Sequence, residues 1–302
     1  MTPASADSPL PEAIAKIERL EVRARGIVEG LLGGAHRSPY FGRSLDFREH
    51  RAYTRGDDLR QIDWKLWARR DRYYVKRYEE ETNLRVTLAV DRSASMAYGS
   101  GAMSKFDYAA TAGCALAYLA LRQRDSVSAV AFAQELLAVT PYGAERSHLR
   151  AIAAALSDQP VAGETDLGAS LDKLSQVARR KGIVVILSDL LGDRAAWRRG
   201  LARLRAAGHD VMVMHVLDDD ELDFPFQDPT RFEGLEGGDA VRCHPARLRS
   251  GYLAALEKFL SEMRQACLGL GVDYELVRTS DPIDSAITRL LVARSGRRRP
   301  WS

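Results

Sequence analysis

The chain has 302 residues, 46% of them apolar, and a formal net charge of +3. That is ample material for a sizeable core and too little charge to demand a nucleic-acid partner. No run of about 18 apolar residues reads as a membrane span, the N-terminus lacks a signal-peptide pattern, and Cys114, Cys243 and Cys267 lie far apart with no Cys-x-x-Cys pair. A soluble cytoplasmic protein in a reducing compartment, without structural zinc or disulfides, is expected.

In chain order, residues 1–9 are small, polar and Pro-containing, and read as a disordered tail. Residues 10–35 carry one helix, with Ile14, Ile17, Leu20, Ile27 and Leu31 at mostly helical spacing and Gly33-Gly34 as the stop. Residues 36–83 differ in character, being dense in Arg, Asp, Tyr and Trp, with a short strand expected at Tyr73–Arg77. From Leu84 a regular alternation begins. Strands are predicted at Leu84–Val90, Val127–Phe132, Leu136–Val139, Ile183–Leu187, Asp210–Val216 and Val272–Val277. Helices are predicted at Lys105–Leu121, Leu149–Leu156, Leu167–Ala178, Trp197–Ala206, Tyr252–Cys267 and Pro282–Ala293. The region 218–245 breaks this rhythm as an insertion, with an acidic start, a Phe-Pro-Phe loop and a small hairpin around Gly237-Gly238. Residues 295–302 form a basic tail, so the main domain spans 84–294. Strands alternating with helices of this length imply an α/β fold, a doubly wound and mostly parallel sheet covered on both faces.

The chemistry concentrates just past the first strand of that alternation. Asp91-Arg92-Ser93-Ala94-Ser95 places a carboxylate and two hydroxyls at alternate positions. Thr165 stands in a loop before a helix, and Asp189 follows the strand at 183–187. In open parallel sheets ligands collect beyond the carboxyl ends of the strands, where Asp91 and Asp189 would both lie. Such hard oxygens suit Mg²⁺ or another divalent cation. Ser93 and Ser95 would bind directly, Thr165 directly or through water, and Asp91 and Asp189 chiefly through water. An ion with few direct carboxylates stays electrophilic and seeks an acidic residue from outside. The plainer reading is that Ser95 or Asp166 caps a helix. The histidines show no zinc spacing, and His215, on an apolar run, reads as a satisfied core residue.

The order Asp91-x-Ser93-x-Ser95, Thr165, Asp189 resembles the metal-ion-dependent adhesion site of von Willebrand factor A domains. The segment ahead of it sharpens the likeness. Arg51-Ala-Tyr53, Gly56-Asp57-Asp58, Arg60, Ile62-Asp63-Trp64 and Ala68-Arg69 resemble the signature of the bacterial domain-of-unknown-function family 58. The resemblance covers residues 16 to 294. It implies an A-type fold with its metal at the top of the sheet, and MoxR-type AAA+ ATPases as neighbours in chaperone-like assembly or maturation of a client. Many relatives carry two N-terminal membrane helices; this chain is similar to the shorter kind.

Two roles stand open for the signature residues Arg51, Tyr53, Gly56, Asp57, Asp58, Arg60, Asp63, Trp64 and Arg69. They can form an internal Arg–Asp network or a docking face. For the whole chain, the expected function is a non-enzymatic, metal-dependent protein-interaction module. The alternative is an Mg²⁺-dependent phosphatase of the haloacid-dehalogenase kind, which needs a second Asp where Ser93 stands. No phosphate-binding glycine loop and no nucleophile elbow are present.

Overall fold

The computed structural model describes residues 10–33, 49–52, 73–77, 84–158, 167–235, 237 and 240–295. The chain opens with helix α1 (Leu10–Gly33), followed by an antiparallel pair, β1 (Glu49–Ala52) and β2 (Tyr74–Arg77), in which Arg51 lies opposite Val75. Then β3 (Arg85–Asp91), a 3-10 turn (Ala94–Ala97), α2 (Lys105–Arg122), β4 (Ser126–Phe132) and β5 (Leu136–Val139) follow. Next come α3 (His148–Ala155), α4 (Leu167–Val177), β6 (Ile183–Ser188), α5 (Arg194–Ala206) and β7 (Asp210–Leu217). The chain continues through α6 (Asp219–Asp223), the hairpin β8 (Thr230–Phe232) and β9 (Val241–Cys243), then α7 (Pro245–Gly269), β10 (Asp273–Arg278) and α8 (Ile283–Ser295).

Six strands form the central sheet in the order β10-β7-β6-β3-β4-β5, parallel throughout except for β5, which runs antiparallel to β4. The expected doubly wound, mostly parallel α/β sheet is therefore the observed one. β6 is buried along its whole length, and β3 along all but its first residue. This explains their continuous apolar runs, since a strand covered on both faces shows no alternation. Buried side chains of α1, α2, α3 and α8 pack on one face; those of α4, α5 and α7 pack on the other.

The helix α2 lies between the sheet and α1. Every residue from Lys105 to Leu121 except Asp107 is buried, so the helix is apolar all round rather than along one stripe. Its start is set by a capping box between Ser104 and Asp107. On the other face, α4 and α5 approach closely at Gly200, where an added Cβ would lie 2.6 Å from Leu171 Cβ.

Boundaries shift in two informative places. The helix predicted from Tyr252 begins seven residues earlier, with Pro245 in its first turn. The acidic start of the insertion is a short helix, α6, capped by Asp218 and Glu221. The hairpin forms as expected, with Phe232 opposite Val241. Cys114 and Cys267 are buried, one in the apolar cluster on each face of the sheet.

Candidate metal site

The chain leaves β3 for β4 on one side and later adds β6 on the other, so the sheet order switches beside β3. At such a point the loops beyond the strand ends diverge and leave a crevice. Asp91, the last residue of β3, is buried there. Its Oδ1 accepts the Ser93 N–H at 2.9 Å, and its Oδ2 accepts the hydroxyl of Ser188, the last residue of β6, at 2.6 Å. The Asp91–Ser93 bond tightens the turn after the strand. Ser93 and Ser95 are thereby held buried with their Oγ atoms 3.1 Å apart.

Asp189 follows β6 in a constrained turn. Its Oδ1 accepts the Leu191 N–H at 3.2 Å, and Leu190 between them has φ of 55°, a left-handed conformation that is rare for a bulky side chain. His215 of β7 fixes the turn from beneath. Its Nε2 lies 2.8 Å from the Asp189 carbonyl and its Nδ1 2.7 Å from the Tyr274 hydroxyl. A carbonyl only accepts, which assigns the proton to Nε2 and makes Nδ1 the acceptor for Tyr274. Burial pushes the ring down to about 4, so it stays neutral.

The remaining carboxylate oxygen of Asp189 is taken by Lys105. Its Nζ stands 2.8 Å from Asp189 Oδ2 and 2.7 Å from Glu221 Oε1, and its side chain is fully buried. Burial works against the ammonium, but Asp189 and then Glu221 outweigh it and hold the group above the ordinary lysine range. Glu221 is itself pushed up by burial, an effect Lys105 only partly offsets. Asp91 has no cation of its own among these contacts. Burial first and the Asp189 charge second push it up from 3.8 to about 7, against the hydrogen bonds from Ser188 and Ser93. Lys105 thus serves two carboxylates, Asp189 and Glu221, and its contacts do not extend to Asp91.

Of the five residues expected to hold an ion, Asp91, Ser93, Ser95 and Asp189 come to one end of the sheet; Thr165 lies outside the described residues. Among the described residues, no three His, Cys, Asp or Glu side chains gather closely enough to hold a metal by themselves. What gathers here is instead two hydroxyls beside buried carboxylates. Of the signature residues, Arg51 lies in β1; Tyr53, Gly56, Asp57, Asp58, Arg60, Asp63, Trp64 and Arg69 fall outside the described residues. Sequence reasoning missed Lys105, Ser188 and Glu221 as parts of the site. Lys105 had one visible mark: apart from Asp107, it is the sole charged residue ahead of Arg122 in an otherwise uncharged helix.

A family model described as a protein of unknown function, DUF58, matches residues 49–259. The uncharacterized protein Rv1480 of Mycobacterium tuberculosis is 29% identical over 291 residues, covering 94% of this chain and 90% of that protein. Among solved structures, the hypothetical protein BatB of Bacteroides thetaiotaomicron aligns with a TM-score of 0.46 and 16% identity, covering 71% of this chain and all (100%) of that one. The VWA domain of SpRpn10 aligns with a TM-score of 0.39 and 11% identity, over 68% of this chain and 94% of that one.

Proposed function

The chain belongs to the DUF58 family, and on that premise we propose that it is a non-enzymatic, divalent-metal-dependent protein-interaction module. The observation that supports this reading is the hydroxyl pair Ser93 and Ser95 beside the under-compensated carboxylate Asp91 at the switch point of the sheet. A buried carboxylate without full counter-charge is costly, and a divalent cation removes that cost where a proton otherwise would. Ser93, Ser95 and Thr165 would hold it, with Asp91 and Asp189 balancing charge from further out. Mg²⁺ or a similar hard ion, when bound there, supplies an electrophile with sites left for a partner's Asp or Glu.

The partner in this reading is a protein offering an acidic residue, with a MoxR-type AAA+ ATPase and its client in chaperone-like assembly as the expected pair. The phosphatase alternative lacks its second acid, since Ser93 stands at that position with its hydroxyl engaged by Ser95. Among the described residues no helix is long and apolar enough to cross a membrane.

Affinity capture on the immobilised full chain, from lysate of the native host, tests the reading. Retention of the ATPase should require Mg²⁺ and be lost with EDTA and in Asp91→Ala. Retention that survives both changes would remove the metal from the function.

A further inference from the structure

The Lys105 ammonium occupies a place that the expected site does not anticipate. It enters from the first residue of α2, is fully buried, and bridges Asp189 on the β6 turn to Glu221 on α6. The two contacts are nearly equal in length, 2.8 and 2.7 Å, so neither carboxylate owns the cation.

Glu221 is well placed to take a larger share. Its other oxygen accepts the Asp218 N–H at 2.8 Å, which closes the capping box of α6. Asp218 in turn accepts from Ser100 on the loop after the serine pair and from Thr279 at the end of β10. The Tyr98 hydroxyl bonds Asp220, and the Tyr252 hydroxyl bonds the Glu221 carbonyl. The acceptor on the α6 side is therefore held by neighbours on three elements. Asp189 is held by its own turn and by His215.

We propose that Lys105 is the resident counter-cation of this site, that it competes with a divalent ion for Asp189, and that Glu221 sets the balance by drawing Lys105 away. The proposal rests on the metal reading given above and assigns the regulation of that same site. The physical basis is Coulombic. An ammonium in contact with Asp189 repels a divalent ion that shares that carboxylate, and the repulsion is strong because the group is buried. With Lys105 in place the fold tolerates an empty site. With Lys105 drawn toward Glu221, Asp189 is released to the ion. By linkage, whatever stabilises the Lys105–Glu221 contact raises ion affinity, and the ion strengthens that contact by the same factor.

Mn²⁺ titration of the full chain, read by the electron spin resonance of the free ion, tests this in wild type, Asp91→Ala, Glu221→Gln and the double variant Lys105→Met with Glu221→Gln. The charge removals predict that Glu221→Gln weakens Mn²⁺ binding severalfold, because the charge that draws Lys105 from Asp189 is then gone. The double variant should bind about tenfold or more tightly than wild type, since the competing charge is gone. Melting curves of the three variants establish folding, and Glu221→Gln, which keeps Lys105 paired with Asp189, carries the test if the double variant does not fold. Equal or tighter binding by Glu221→Gln, or a folded double variant no tighter than wild type, overturns the proposal. If binding depends on Asp91 yet ignores Lys105 and Glu221, only the Lys105 proposal falls. If Asp91→Ala binds as wild type does, the metal reading falls with it.

Discussion

At the scale of single residues, Asp91 makes the sharpest statement. Its folded pKa is raised from 3.8 to about 7, so between these values the folded chain keeps a proton that the unfolded chain has released. Stability from this group therefore falls as pH rises from about 4 to 7 and is level above, with a slope of roughly 1.4 kcal/mol per pH step of one inside that window. His215, lowered from 6.5 to about 4, acts in the opposite sense: its contribution is full above 6.5 and fades as pH falls toward 4. The two overlap, so the clean measurement is a difference. Urea unfolding of Asp91→Asn against wild type, both metal-free, cancels the His215 contribution, and the difference should shift toward the variant from about pH 4 to pH 7 and level off above. A difference independent of pH would mean that Asp91 titrates normally. Saturating Mg²⁺ should abolish the advantage of the variant at pH 8. Tyr274→Phe removes the hydroxyl that donates to His215 Nδ1 and should destabilise the fold by about 1–3 kcal/mol in the same assay.

At the scale of elements, the site is precise because rigid pieces meet at it. Two neighbouring parallel strands bring Asp91 and Ser188 together, and the third brings His215 opposite Ser188. The packing behind these strands admits little change. Gly200 on α5 lies against Leu171 of α4, and Gly200→Val would drive a branched side chain into it. Overpacking of this kind should cost about 1–3 kcal/mol and lower the melting temperature. An unchanged melting temperature would mean that α4 and α5 can part freely. The short helix α6 plays a different part, since it is anchored by polar groups: Arg278 pairs with both Asp219 and Asp223, and Ser100 and Thr279 share Asp218. It is a polar hub joining the serine loop to the turn before α8.

At the scale of the whole molecule, the sheet was legible because burial on both faces writes itself as continuous apolar runs, as in β3 and β6. The hairpin in the insertion was legible from the residues that flank the Gly237-Gly238 pair in the sequence. The true start of α7 was not. Its first turns are mostly exposed, only Phe259, Met263 and Cys267 being buried beyond Pro245, so no apolar stripe marks them. The gathering of Asp91, Ser93, Ser95 and Asp189 at one end of the sheet was readable because each sits at or just past a strand end. Lys105 was not readable as a partner, because its two carboxylates lie 84 and 116 positions away and no local pattern links them. They meet only in the fold, from α2, the turn after β6 and α6.

The most direct test of the metal reading is an anomalous-difference map from crystals of the full chain grown with Mn²⁺. One strong peak is predicted within bonding distance of the Ser93 and Ser95 hydroxyls, with Thr165 beside it and Asp91 and Asp189 around it. A map with no peak there, the serines still bonded to each other and Lys105 still closed on Asp189, would contradict that reading.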